Sequence, residues 1–342
     1  MRVELRRDAM FSDGSPVRAE DVVRCLAGHG VRVTSNGEDL TITSAEGSAP
    51  LDVILPRMVI YREVDGAFLG SGPFVVHREG EDELRFLRRQ PNPNRINDVR
   101  LVAYRTPREA FTHTLKGDAN LIFDLDPRAV EFFNGVKSLQ VIRGGGRSTE
   151  AILFNLDLPR DERVQLAGYL ASDRVRELAY GEGDCAESGQ TQTSAGDVPS
   201  GREKLDVLAW GPFERLALAV RRTLGERGGE VLTQSIQEVL ARIKERRFEL
   251  VTARPLMWPR NTLTLSWRTG SPENQFGYSN PAVDRALDAG DWDAAEKALR
   301  ADPPAAFICT RQHIAVVDSR IKNPELGPYD LLQTLPEWEV AQ

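Results

Sequence analysis

The chain has 342 residues, of which 41% are hydrophobic and 28% charged, and its formal net charge is −7. This length predicts two lobes or domains, because one core seldom grows beyond about 250–300 residues. The acidic balance argues against a nucleic-acid-binding protein, which would carry a basic patch or stripe. Pro56 and Arg57 interrupt the longest apolar run, at 51–61, so no stretch approaches the roughly 18 residues of a membrane span.

The first 98 residues predict short strands joined by turns. Turn residues such as Ser-Asp-Gly-Ser-Pro at 12–16 and the Asn36-Gly37 pair separate the segments. The predicted elements are a strand at 1–7, a helix at 18–27, short strands over 31–61 with a hairpin at Asn36-Gly37, and a second hairpin at 69–89.

After residue 98, strands alternate with helices, which is the pattern of an α/β fold. Pro107 and Pro127 each stand where a first helical residue is expected. Gly-Gly-Gly-Arg-Ser-Thr-Glu at 144–150 predicts a turn or hinge, and it lacks the Lys-Ser/Thr of a phosphate-binding loop. The predicted strands are 99–105, 119–125, 139–144 and 151–156.

Apolar residues three or four apart predict one long helix at 161–180. The polar, Gly- and Ser-rich segment that follows, 181–203, predicts a long surface loop. A second α/β run has predicted strands at 204–210, 230–234 and 247–253, helices at 213–225, 235–246, 279–288 and 292–300, and two last strands within 303–319.

No enzyme, metal site or cofactor site is predicted. The four histidines are scattered, and the chain contains no H-E-x-x-H, C-x-x-C or G-x-S-x-G pattern. Cys25, Cys185 and Cys309 are far apart, odd in number and without metal-ligand spacing. The preferred interpretation is buried or incidental thiols, and one disulfide remains open.

Five segments, collinear along nearly the whole chain, resemble the family 5 extracellular solute-binding proteins, the peptide- and nickel-type receptors of ABC importers. They are LRRDAMFSDGSPVRAEDVV, LGSGPFVV, INDVRLVAYRTPREAFTHTLKGDANLI, ILFNLD with DERVQLAGYLASDRV, and ENQFGYSNPAVDRALD. Each motif alone is weak, but the five in register indicate the fold of that family.

The resemblance implies an α/β, two-lobed fold of the periplasmic-binding-protein type (type II, similar to cluster C), with mixed sheets in each lobe and hinge crossings. The first lobe would comprise 1–150 and 306–342, including a shortened β-rich subdomain at about 1–68. The second lobe would comprise 151–305. Lobes of this kind close on a ligand about a hinge, so the resemblance places the ligand in an interlobe cleft.

The start of the chain differs from the usual family pattern. Members usually carry a signal peptide and some tens of residues before the segment that resembles this chain's first strand. Residues 1–20 hold no apolar stretch of a signal peptide. We expect either that the gene start lies upstream of Met1 or that the chain is a truncated homologue. The resemblance implies a periplasmic or extracytoplasmic location, and the chain as given leaves a cytoplasmic one open.

Candidate ligand-binding residues follow from the same resemblance. Peptide-binding members carry a G-W-x-x-D stretch after the strand that matches 247–253, and its Asp pairs with the ligand's ammonium group. Here Arg254 stands in place of the Gly and Trp258 in place of the Asp. We therefore expect an anionic, amide or ring-bearing ligand, held by the Arg254 fork and the Trp258 face. The alternative is that Trp258 fills a core and Arg254 is solvated.

Three further residues are candidates. Trp210 and Phe213 flank a strand end and a helix start, a usual cleft rim in α/β sheets, and are otherwise core residues. Asn155 either binds ligand or fixes the hinge.

These features predict a non-enzymatic, monomeric solute-binding protein that delivers a peptide-like or other small organic solute to an ABC permease and binds no nucleic acid. The alternatives are an unexported ligand-sensing or accessory homologue, and a truncated remnant without a competent cleft.

Overall fold

The computed structural model describes residues 1–27, 31–44, 50–181, 185, 204–271, 273–327 and 332–341. The segment predicted as a long surface loop, 181–203, lies outside these residues apart from Gly181 and Cys185. The chain divides into two compact units. The first unit is Met1–Gly146 with His313–Gln342, and the second is Arg147–Gln312.

The first unit begins with a small antiparallel sheet packed against one helix. Val22 and Leu26 of the helix pack with Leu40 and Ile42 of the sheet, and the predicted hairpin at Asn36-Gly37 is confirmed. The sheet has the order β1-β3-β2, with β1 at Arg2–Glu4, β2 at Val31–Asn36 and β3 at Asp39–Ser44, and the helix is α1, Ala19–Leu26.

The strand prediction for the start of the apolar run at 51–61 is wrong. The chain forms a helical turn, α2 (Leu51–Ile54), and then a 3₁₀ turn at Leu55–Arg57. Pro56 has no N–H to donate to a strand ladder, whereas a helical turn buries Val53 and Ile54 together.

The rest of the first unit's N-terminal part consists of two small antiparallel sheets, one helix and an edge strand. The elements are β4 (Tyr61–Val64) and β5 (Ala67–Gly70), the sheet of β6 (Phe74–Glu79), β7 (Glu83–Arg88) and β8 (Asp98–Val102), then α3 (Pro107–Lys116), β9 (Leu121–Phe123) and a 3₁₀ helix at Pro127–Phe133. The helix predicted to begin at Pro107 is confirmed, with Thr106 as its N-cap.

The turn predicted between 139–144 and 151–156 is wrong, because one strand, β10 (Leu139–Phe154), runs through it. Gly144, Gly145 and Gly146 have φ angles of 152°, 72° and 106°, which L-residues rarely adopt. A Cβ on Gly145 would also lie 2.6 Å from the Cβ of Leu326. The glycines therefore bend a continuous strand, and the chain passes into the second unit within it.

The prediction of one continuous helix at 161–180 is wrong, because the helix is interrupted near its middle. It is two helices, α4 (Arg160–Leu170) and α5 (Asp173–Tyr180), because Ser172 has an extended backbone between them. Ser172 is the N-cap residue of α5, although its hydroxyl makes no capping hydrogen bond.

The remaining elements of the second unit follow the predicted alternation. They are β11 (Leu205–Trp210), α6 (Glu214–Leu224), β12 (Gly228–Gln234), α7 (Ile236–Lys244), β13 (Leu250–Ala253), α8 (Leu263–Trp267), α9 (Pro281–Asp288), α10 (Trp292–Ala301) and β14 (Ala305–Asp318). The two last strands predicted within 303–319 are thus one strand, which returns to the first unit. There β14 pairs with β9, and β15 (Ile321–Lys322) pairs with β16 (Glu339–Val340).

The main sheet has the order β12-β11-β13-β10-β14-β9, and its last strand, β9, belongs to the first unit. Strand β11 is parallel to β12 and β13, and β10 is antiparallel to β13. Side chains alternate along β10: Ile152 and Phe154 belong to one buried cluster, with α4 to α6, and Ala151 and Leu153 to another, with α7 to α10. The sheet is therefore buried on both faces.

The preferred interpretation of the cysteines as thiols is wrong for two of the three. Cys185 and Cys309 form a disulfide across 124 residues of sequence, and only Cys25 is a free, buried thiol. Sequence spacing could not show this pair, since β14 brings Cys309 to its partner only in the folded unit.

Candidate functional site

Trp210, Phe213 and Arg254 lie in contact in the second unit. Trp210 ends β11, Phe213 precedes α6, and Arg254 directly follows β13. Because β11 and β13 are parallel, these positions share the carboxyl edge of the sheet, where α/β proteins usually bind ligands. The Arg254 guanidinium lies 5.3 Å from the centre of the Phe213 ring, and the Phe213 and Trp210 rings meet edge to face at 5.2 Å.

A buried carboxylate, Glu150, connects Arg254 to two other residues. The register of β10 and β13 pairs Ala151 with Ala253, which sets Glu150 beside Arg254. Glu150 Oε1 accepts hydrogen bonds from Arg254 Nη2 at 3.1 Å and Arg311 Nη2 at 2.8 Å. Its Oε2 accepts from the hydroxyl of Tyr180 at 2.6 Å. These three donors stabilise a carboxylate that would be costly to bury alone.

We call Glu150, Tyr180, Arg254 and Arg311, together with Phe213, the Glu150 cluster. Its two guanidinium groups and one carboxylate leave an excess positive charge. Burial, and then the Glu150 carboxylate, raise the pKa of Tyr180 well above its ordinary value, so this hydroxyl remains a neutral donor. Arg311 Nη1 is buried with no hydrogen-bond partner among the described residues. The cluster can therefore offer guanidinium N–H groups and an aromatic face to an anionic, ring-bearing group.

Trp258 is half-buried and contacts a different arginine. The guanidinium of Arg147, an exposed residue of β10, lies 5.1 Å from the centre of the Trp258 ring. Trp258 thus has a cation–π partner on the same strand that carries Glu150, three residues away.

Asn155 has a different environment from the other candidates. Its side-chain nitrogen donates to the carbonyl oxygens of Arg246 at 3.0 Å and Phe248 at 2.6 Å, and its oxygen accepts from the N–H of Asp157 at 3.0 Å. These bonds join the end of β10 to the segment before β13. These partners all belong to the second unit, and both predicted roles of Asn155, as a ligand contact or as a residue that fixes the hinge, stay predictions.

Sequence reasoning did not identify Glu150, Tyr180, Arg311 or Arg147. Glu150 carried one signal: it is a charged residue directly before the apolar run AILFNL, where a buried carboxylate needs partners. The other three carried no comparable signal, because they come from separate segments that only the folded unit brings to Glu150 or Trp258.

Within the described ranges, no group of three or more His, Cys, Asp or Glu side chains could hold a metal ion. None of the helices among these residues is long and apolar enough to span a bilayer.

The fold is similar to solved structures of periplasmic binding proteins. NikA from Staphylococcus aureus, in complex with Ni(L-His)2, matches with a TM-score of 0.77 and 14% identity over 99% of this chain and 88% of that chain. The murein tripeptide binding protein MppA from Escherichia coli matches with a TM-score of 0.76 and 18% identity, over 100% of this chain and 87% of that chain. DppA from Helicobacter pylori, in complex with the peptide STSA, matches with a TM-score of 0.78 and 14% identity, over 100% of this chain and 86% of that chain.

No protein-family model matches the chain, and no curated protein matches its sequence. At these identities the structural matches establish the fold alone. The predicted α/β fold of the two-lobed periplasmic binding proteins is confirmed, over the whole length of the chain.

Proposed function

We propose that the chain is a family 5 solute-binding protein, a monomeric and non-enzymatic receptor that delivers a small organic or peptide-like solute to an ABC permease. The observation that carries this proposal is the structural match over 99–100% of the chain to binding proteins for a nickel–histidine complex and for peptides. The collinear sequence motifs support the same assignment independently.

The disulfide supports an extracytoplasmic location. Disulfides persist in oxidising compartments and are rare in the cytosol. The Cys185–Cys309 bond therefore favours an exported receptor over an unexported ligand sensor. Its fully buried member, Cys309, lies in the core of the second unit, so the bond belongs to that unit's interior.

The Glu150 cluster favours a solute that carries a carboxylate or a similar anion. An ammonium group placed against it would meet two guanidinium groups and a carboxylate that is already paired on both oxygens. A carboxylate would instead meet arginine N–H donors and would bring opposite charge to the excess cation. We therefore propose an anionic solute with an aromatic or amide part that packs on Phe213 and Trp210.

Three synthetic tripeptide probes of one sequence, Ala-Ala-Phe, separate these charge preferences by titration calorimetry. The first is N-acetylated with a free carboxylate, the second is N-acetylated and amidated, and the third has a free amine and an amidated end. We expect the carboxylate probe to bind at least tenfold more tightly than either of the others, about 1.4 kcal/mol. Tighter binding by the free-amine probe would contradict the anionic assignment.

Substitution of Arg254 tests the residue itself. We expect Arg254→Ala to weaken binding of the carboxylate probe at least tenfold, a loss of about 1.4 kcal/mol. The affinity of Arg254→Lys should lie between those of the unchanged protein and Arg254→Ala, because lysine keeps the charge but not the forked pair of N–H donors. Arg246→Ala is the matched control, since it removes an exposed arginine that pairs with Asp157 in the same unit. An equal loss of affinity in Arg246→Ala, or an unchanged affinity in Arg254→Ala, would show that Arg254 does not bind the carboxylate.

A native mass spectrum of the gently purified chain, beside its denatured mass, tests the receptor function without a chosen probe. We expect a small non-covalent adduct whose mass identifies the solute. A compact protein that carries no adduct and binds none of the three probes would contradict the receptor proposal.

A further inference from the structure

The Cys185–Cys309 disulfide lies beside the Glu150 cluster, within the second unit. Cys309 precedes Arg311 by two positions on β14, so their side chains share one face of the strand. On that face Cys309 belongs to the same buried cluster as Tyr180, and the Arg311 guanidinium lies 5.7 Å from the centre of the Tyr180 ring. The disulfide is therefore joined to the Glu150 cluster through β14.

The other half of the disulfide is joined to the cluster through α5. Tyr180 is the last residue of α5, and Cys185 follows it by five positions. Five residues of extended chain span at most about 18 Å, so the bond to Cys309 keeps this end of α5 close to β14. Tyr180 is thus held at the sheet by a covalent link through Cys185 and by the hydrogen bond of its hydroxyl to Glu150 Oε2 at 2.6 Å.

The Tyr180 hydroxyl decides which N–H groups remain for a solute. While it donates to Oε2, Glu150 Oε1 accepts one Nη2 bond from each arginine, and Arg311 Nη1 has no hydrogen-bond partner among the described residues. If the hydroxyl were withdrawn, Oε2 would lose this donor, and a buried acceptor without a donor costs free energy. The forked donors of an arginine can pair with both oxygens of one carboxylate. Arg311 would then turn both Nη groups to Glu150 and away from a solute anion.

We propose that the Cys185–Cys309 disulfide positions the Tyr180 hydroxyl, and that reduction of this bond by a dithiol weakens binding of the anionic solute. The coupling rests on the proposed function, since it concerns the affinity of the same cluster.

The reduction is a two-step thiol–disulfide exchange. One thiolate of the dithiol attacks the sulfur of Cys185, which is half-buried, and the fully buried Cys309 leaves as a thiolate and takes up a proton. The second thiolate attacks the mixed disulfide and releases Cys185, which is also protonated. The two cysteines gain two electrons and two protons, and the dithiol becomes a cyclic disulfide.

Thermodynamic linkage makes the coupling reciprocal. If the oxidised protein binds the solute tenfold more tightly than the reduced protein, saturating solute stabilises the disulfide by the same factor. For a two-electron couple, a tenfold factor lowers the reduction potential of the disulfide by about 30 mV. Affinity and reduction potential are therefore two separate measurements of one coupling.

The experiment uses the Cys25→Ala protein, in which Cys185 and Cys309 are the remaining cysteines. Titration calorimetry compares binding of the acetylated Ala-Ala-Phe carboxylate probe before and after reduction with dithiothreitol. We expect the reduced protein to bind at least tenfold more weakly. Dithiothreitol redox buffers should show a potential about 30 mV lower with saturating probe than without it. The variant with alanine at both 185 and 309 should bind as weakly as the reduced protein, whether or not dithiothreitol is present.

Tyr180→Phe separates positioning of the hydroxyl from general stabilisation of the unit. This variant keeps the ring and lacks the donor, so we expect weak binding in both redox states and less than a twofold difference between them. A tenfold difference that persists in Tyr180→Phe would overturn the proposal. Hydrogen exchange on the reduced protein should keep the protection of β11 and β13, and its loss there would assign the effect to unfolding and overturn the proposal as well.

The remaining outcomes separate this coupling from the receptor function. Equal affinity of the oxidised and reduced proteins for the probe would overturn the coupling and leave the receptor proposal standing. No binding of the probe by the oxidised protein would overturn the anionic solute class and the coupling together.

Discussion

The two units bury their apolar residues in different ways. In the second unit, the sheet formed by β10 to β14 has helices on both faces. Trp267 is fully buried against the rings of Phe276, Tyr278 and Phe307. In the first unit, several small sheets share three smaller clusters, and Phe68 on the β4–β5 hairpin is 69% exposed. The difference shows that the second unit concentrates its apolar residues around one sheet, whereas the first unit divides them among separate small clusters.

The largest expected difference between the units comes from removing one tryptophan from each. We expect Trp267→Ala to cost about 4 kcal/mol of unfolding free energy, and Trp338→Ala in the first unit about 3 kcal/mol. Several residues packed against the cluster of Trp338, such as Phe74 and Val99, are only partly buried, so a cavity there can collapse or fill with water more easily. Hydrogen exchange under native conditions measures each unit separately, and a reversed order would contradict the comparison.

Loss of the disulfide should destabilise the second unit alone. Replacing Cys185 and Cys309 with alanine removes a link that closes a loop of 124 residues, and we expect a loss of about 3 kcal/mol. Cys25→Ala in the first unit is the control, since this thiol is free, and reductant should not change the stability of that unit. Denaturant unfolding with and without reductant measures the stability of each unit. An equal loss of stability in both units would contradict the prediction.

Acid should act on the first unit through Asp318. Hydrogen bonds from Arg320 lower the pKa of Asp318 to about 2, from 3.8. A carboxyl group with a lowered folded pKa adds stability above pH 3.8, and this stability is lost as the pH falls toward 2. We expect Asp318→Asn to cost about 2 kcal/mol at neutral pH and little near pH 2.

Urea unfolding at several pH values measures this effect. Asp98→Asn is the matched control in the same unit, because Asp98 forms an exposed ion pair with Arg85, and such pairs contribute less than about 1 kcal/mol. A cost of Asp318→Asn that does not change with pH would show that the carboxylate charge is not the cause.

Local features of the fold could be predicted from the sequence. Asn36-Gly37 specifies a hairpin, Thr106-Pro107 begins a helix, and apolar periodicity locates most strands and helices of the second unit. These elements depend on backbone preferences and side-chain spacing over a few residues, so the residues concerned are neighbours in the sequence.

Part of the candidate site could also be predicted. Trp210 and Phe213 follow from a strand end and a helix start, and Arg254 follows from the family resemblance; in the structure Phe213 contacts both of the others. Glu150, Tyr180 and Arg311 could not be identified as their partners, since the pairing depends on strand order and register rather than on any local pattern.

The sequence by itself determined the α/β class, the collinear resemblance to the family 5 binding proteins and most element positions. Only the tertiary structure decided that β10 continues through its three glycines, that Cys185 pairs with Cys309, and that Glu150 is shared by two arginines. The physical reason is distance along the chain. A bent strand at Gly145 is fixed by its contact with Leu326, and a buried carboxylate by donors from three other elements, so neither can be specified by neighbouring residues.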